Sequence, residues 1–243
     1  MSKIAAVAPA KASGDDPKYI EALWEAFMEN YHAFKTGKMK LEDEVKYNLF
    51  SAPGPRQYDA YSKFFAFFKD EEKQFIDIWN ENKNYMYTHD FFELGDKGEP
   101  AILELLEKLN SSKNILDKKR PITMVSGSFW KRHSNTRRKI ISFFKKLHEN
   151  KIRLRIFTCA KKEEDDIREL ASLLNWKSRF NIPRRIPLHF VLACPFLYLE
   201  SPHTESSAFR LNMLIDLDNM KYKEGKSKKH LLDFLDKIIK EAL

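Results

Sequence analysis

Residues 121–158 read PITMVSGSFWKRHSNTRRKIISFFKKLHENKIRLRIFT, and the reading of this stretch decides the fold. Ile122-Thr123-Met124-Val125 predicts a short apolar strand that breaks at Ser126-Gly127-Ser128. Residues 135–149 carry apolar positions at helical spacing among many Lys and Arg, and residues 152–158 predict a second strand. Strand, helix and strand in that order make a βα unit of an α/β protein. The turn after such a strand, where the next helix begins, is a natural anion seat: free N–H groups and the positive helix end favour negative charge. Ser126, Gly127, Ser128, Lys131, Arg132 and His133 are therefore candidate phosphate-binding residues, with Arg137 and Arg138 on the following helix. The structural alternative is an ordinary strand-to-helix connection in which Ser134 or Asn135 caps the helix.

Charge singles out the same stretch. Between residues 118 and 155 there are thirteen Lys/Arg and one acid, Glu149, a local +12 in a chain whose net charge is +8. The remainder is slightly acidic. A block of this kind holds polyanions through phosphate contacts and counterion release, or else is a solvated helix face. Only 7 glycines occur in 243 residues, which argues against glycine-rich phosphate loops and turn-dense all-β folds. The 2 cysteines, Cys159 and Cys194, match no zinc spacing, and a reduced, cytoplasmic setting is expected. No apolar run reaches membrane-spanning length and no signal-peptide core is visible near residues 1–14. No cofactor and no metal site is expected.

Working outward toward the N terminus, residues 1–16 read as a tail, 17–117 as a helical, aromatic-rich region, and 118–243 as the α/β domain with its basic helix. Pro17 suits the first position of a helix over 19–36, whose Ile20, Leu23, Trp24, Phe27, Tyr31 and Phe34 share a face, with Gly37 as its stop. A short helix is predicted over 40–49. After the breaker at 51–55, a long helix over 57–70 continues or restarts through 71–84. Its Tyr58, Tyr61, Phe64, Phe65 and Phe68 form a stripe that reads as core or as a seam for a protein partner. Residues 99–110 predict a further helix.

Toward the C terminus, residues 163–174 predict a helix, 188–193 and 196–199 two paired strands around Cys194-Pro195, and 227–242 a terminal helix. Residues 209–216 predict a helix or another strand, with a pattern that leans helical. Alternation of strands and helices implies a largely parallel sheet. A second group of candidates is Arg184 and Arg185, basic residues ahead of the strand that carries His189. Glu200 and His203 follow the next strand, so neighbouring strand ends bring His189 and His203 toward one sheet edge, with Glu200 placed to orient His203 for acid–base work. The alternative is a half-buried strand histidine and a loop histidine.

The order of strand, helix, strand, helix, basic turn and His-bearing strand resembles one half of a phospholipase D-like domain. The residues that carry the resemblance are Val125-Ser-Gly-Ser-Phe-Trp130, the helix after it, Lys151-Ile-Arg-Leu-Arg-Ile156, and His189, over about 120 residues. His189 stands where that superfamily has the His of its His-x-Lys-x4-Asp signature, but Val191 occupies the Lys position and Phe196 the Asp position. The resemblance implies a phosphodiester chemistry in which the His is nucleophile, the Lys stabilises phosphate, and two such units cooperate. Lacking that Lys, the phosphoryl charge loses its partner.

Three functions are open on these residues. The leading one is a non-catalytic binding protein for nucleic acid or another phosphorylated ligand. The second is a phosphodiesterase or nuclease acting through His189 as a homodimer. The third is an interaction protein whose aromatic helices engage a protein partner.

Overall fold

The computed structural model describes residues 17–43, 54–82, 120–126, 145, 149, 152–158, 187–200 and 212–242. Helix α1, Pro17–Lys35, begins at the predicted proline and buries Trp24, Phe27 and Tyr31 at the expected spacing. Gly37 ends it with φ +74, a left-handed conformation that glycine adopts without the steric cost of a Cβ. The helix predicted at 40–49 is a 3-10 turn, Leu41–Asp43, in its described part; residues 44–49 lie outside the described residues.

Helix α2 spans Pro55–Phe65 and α3 spans Glu71–Asn82, so the aromatic segment restarts rather than continues. Pro55 holds the first position of α2, and Gln57 Oε1 accepts from the Gly54 N–H at 3.2 Å. The break has a tertiary cause. Phe68 forms an antiparallel bridge with Tyr222, and Asp70 takes φ 46 to turn the chain into α3.

Strands β1 (Ile122–Ser126), β2 (Leu154–Thr158), β3 (His189–Ala193), β4 (Phe196–Glu200) and β5 (Asn212–Asp216) form one sheet in the order β2-β1-β3-β4-β5. Helix α4, Lys228–Ala242, closes the chain, with Ser227 Oγ accepting from the His230 N–H at 3.4 Å. Two expectations are corrected here. Only β1 and β2 run parallel; β1–β3, β3–β4 and β4–β5 are antiparallel. The tight turn at Cys194-Pro195 permits nothing else for β3 and β4, since a parallel pair needs a crossover of a dozen or more residues. The segment leaning helical at 209–216 supplies a strand, because Met213 and Ile215 alternate into the core while Leu214 faces the other side.

Residues opposite one another across a sheet share a face, and successive rows alternate faces. The row Phe157, Val125, Phe190, Leu199, Met213 packs into one core with Trp24, Phe27, Tyr61, Phe65, Phe75, Leu231, Leu235 and Ile239. On the reverse face Ile156, Met124, Val191 and Tyr198 are buried as well. Burial on both faces explains why these strands read as continuous apolar runs. The stripe of Tyr58, Tyr61, Phe64, Phe65 and Phe68 lies wholly inside this core, none of it more than 2% exposed. It is therefore not a seam offered to a protein partner.

A carboxylate ties three segments together outside that core. Glu71 bonds Lys35 of α1 and Lys223, the latter at 3.1 Å, and the Tyr31 hydroxyl donates to it at 3.4 Å. Burial alone pushes the Glu71 carboxyl up, but the two lysines outweigh it and hold it below its ordinary value. Burial, then the Glu71 charge, raises the Tyr31 phenol. A depressed carboxyl stabilises the fold above its unfolded pKa and loses that contribution as pH falls through its folded one. Glu71→Gln is expected to lower stability by about 2 kcal/mol near pH 7. In urea titrations the gap between variant and parent closes as pH drops below about 4.

Candidate anion and nucleic-acid interface

The parallel strands β1 and β2 end together, with Ser126 opposite Thr158. Strand β3 starts beside them: Val125 pairs with Phe190, which sets His189 next to Ser126. His189 is opposite Glu200, and Glu200 opposite Asn212. One row thus crosses the whole sheet at one end: Thr158, Ser126, His189, Glu200, Asn212. Every residue in it carries a hydroxyl, imidazole, carboxyl or amide group. The next row in is entirely apolar. This end is also where β1 and β2 deliver their carboxyl termini, the side on which open α/β sheets receive ligands.

Of the candidate residues, Ser126, His189 and Glu200 lie in this row, and His189 is half-buried. Gly127, Ser128, Lys131, Arg132, His133, Arg137, Arg138, Arg184, Arg185 and His203 lie outside the described residues. In sequence, His203 is three residues beyond Glu200 and Arg185 four residues before His189. Gly127 and Ser128 follow Ser126 directly. The register therefore joins Ser126, His189 and Glu200 in one row.

The positions that would complete a phosphodiesterase signature do not support His189. Val191 is 1% exposed and sits between Met124 and Tyr198 in an apolar row. Phe196 pairs with Ala193 and Asp216 at the opposite end of the sheet. Neither position sets a charge beside His189. Among the described residues no group of three His, Cys, Asp or Glu could hold a metal ion.

The charge block is not uniformly a surface for ligand. Arg155 is the register partner of Thr123 and donates to its Oγ1 at 2.9 Å, and to Asp236 of α4 at 2.8 Å. Arg120 reaches the same carboxylate at 3.4 Å. These two arginines fasten the sheet to the terminal helix. Lys145 is exposed on helical backbone, as is the acid Glu149. Counting charges along the sequence could not separate the structural arginines from the rest, since their partner lies 81 and 116 residues away. Asp236→Asn is expected to destabilise the protein by about 1 kcal/mol, the size set by partly exposed pairs. A melting experiment in low and high salt checks it, the deficit shrinking as salt rises.

No helix of the described residues is long and apolar enough to cross a membrane. No protein-family model and no curated protein matches the chain. Among solved structures, one similar chain is TrmBL2, an archaeal chromatin protein described as showing a novel mode of DNA binding. The two share 13% identity over 70% of this chain and 67% of that one, with a TM-score of 0.34. At that level the fold of this protein rests on its own register and packing.

Proposed function

We propose that this protein binds nucleic acid or another phosphorylated ligand at the end of the sheet marked by Thr158, Ser126, His189, Glu200 and Asn212, without cleaving it. One observation carries the reading: a single polar row collects the ends of five strands, and Gly127, Ser128, Arg184 and Arg185 lie close to it in sequence. Hydroxyls and backbone N–H groups donate hydrogen bonds to phosphate oxygens, while arginines supply paired donors. His189 adds a ring donor beside them. Binding of duplex DNA, single-stranded DNA and RNA, each measured across a salt series, tests the proposal. Affinity that falls steeply from about 50 to 200 mM salt is expected, and a flat profile for all three ligands sinks it.

The phosphodiesterase reading keeps one supporting observation, the pairing of His189 with Glu200 beside Ser126. It makes the sheet a degenerate phospholipase D-like unit in which His189 is the nucleophile and two copies of the chain cooperate. Metal-independent cleavage by a dimer, abolished in His189→Ala, is its requirement. Absence of cleavage in a monomer, together with salt-dependent binding, leaves the binding function alone.

A further inference from the structure

A second basic surface follows strand β5 in the chain. Strand β5 leaves the polar row at Asn212 and ends at Asp216, and the chain then carries Lys221, Lys223, Lys226, Lys228 and Lys229 with Glu224 as the one acid among them. This segment is held rigidly. Around the Phe68–Tyr222 bridge, the Lys69 N–H donates to the Lys221 carbonyl at 2.8 Å, and the Lys223 N–H donates to the Phe67 carbonyl at 2.9 Å. Gln74 clamps the bridge: its Oε1 accepts from the Lys221 N–H at 3.0 Å, and its Nε2 donates to the carbonyls of Lys221 and Lys69.

That geometry sets Lys69 directly opposite Lys221, both exposed. Like charges opposite each other across a strand pair are destabilising. The fold keeps this repulsion at a fixed, well-supported place, where a local rule broken without structural return marks function. Lys226 stands beside the pair, its Nζ 5.3 Å over the Phe67 ring. Lys223 and Lys228 do not belong to the group, since they answer Glu71 and Asp218. Asp70 and Glu224 are the exposed acids nearest in sequence.

We propose that Lys69, Lys221 and Lys226 form a second phosphate-contact surface, and that the ligand is therefore a nucleic-acid polymer rather than a small phosphorylated molecule. The inference rests on the proposed binding function and narrows it. The five residues of β5 set its two ends about 13 Å apart, and Lys221 follows the far end by five residues. A mononucleotide cannot touch both, whereas a duplex presents a charge about every 1.7 Å of its axis.

Lys69→Glu separates this surface from a folding defect, because it sets a carboxylate opposite Lys221 and converts repulsion into attraction. Its melting temperature is expected to equal or exceed that of the parent. Its affinity for a duplex of about 20 base pairs is expected to fall about tenfold near 50 mM salt, with the salt slope reduced by about 1. A mononucleotide, too short for both ends, is expected to bind the parent weakly and the variant equally. Unchanged duplex affinity and slope in Lys69→Glu would overturn the second surface. Parent affinity for the mononucleotide equal to that for the duplex would overturn the polymer assignment and leave phosphate binding intact. No salt-sensitive binding by the parent to either probe would remove the proposed function itself, and this surface with it.

Discussion

Phe65→Ala is expected to lower stability by about 4 kcal/mol, the largest single-residue loss the core predicts. Phe65 is fully buried at the end of α2. Its ring lies edge-on to Phe64 at 4.8 Å, Phe68 at 5.9 Å and Tyr31 at 6.4 Å, and it stacks on Tyr61 and Phe75. It therefore touches α1, α2, α3 and the bridge segment at once. Truncation removes the apolar transfer energy, leaves a cavity bounded by rigid rings, and forfeits edge-to-face contacts worth about 0.5–1.5 kcal/mol each. For a chain of this size the melting temperature should fall by about 10 °C. Ile76, on the outward side of α3 and 45% exposed, supplies the control: Ile76→Gln should stay within about 0.5 kcal/mol of the parent. A Phe65→Ala loss no greater than that of Ile76→Gln would mean the aromatic stripe is not the core.

Much of this architecture was legible because its signals are local. Trp24, Phe27 and Tyr31 repeat at helical spacing, Gly37 ends α1, and Cys194-Pro195 can only turn one short strand back on another. What escaped the sequence depends on partners far away along it. The segment ending Met213-Leu-Ile215-Asp satisfies both a helical and an alternating pattern, and its pairing with β4 decides between them. Around Phe68 the sequence allows a continued or a restarted helix, and the bridge to Tyr222 marks the restart. The parallel sheet was inferred from the order of elements, which is silent on direction once a hairpin intervenes. For the interface, residue types pointed to Ser126, His189 and Glu200 separately. Only the register shows that they stand in one row, and that Thr158 and Asn212 extend it.

Reversing Arg132, Arg137 and Arg138 to glutamate is expected to abolish most of the salt-sensitive affinity for nucleic acid. Of the thirteen basic residues between 118 and 155, Arg120 and Arg155 are bound to Asp236, and Arg132, Arg137 and Arg138 are among the others. If about six of the others meet phosphates, log affinity falls with a slope near −5.4 against log salt, about a thousandfold between 50 and 200 mM. Losing three contacts brings the slope to about −2.7 and the loss over the same range to about 40-fold, before the added repulsion of three carboxylates lowers affinity at every salt concentration. Arg155→Gln supplies the opposite signature. Its charge serves the sheet and α4, so it should lower the melting temperature while leaving the salt slope within about 0.5 of the parent. The two variants remove charge from one sequence block and are expected to fail in different experiments. A triple variant that keeps the parent slope would move the interface away from the helix after β1; an Arg155→Gln variant that loses slope but not stability would show that Asp236 does not hold that arginine in solution.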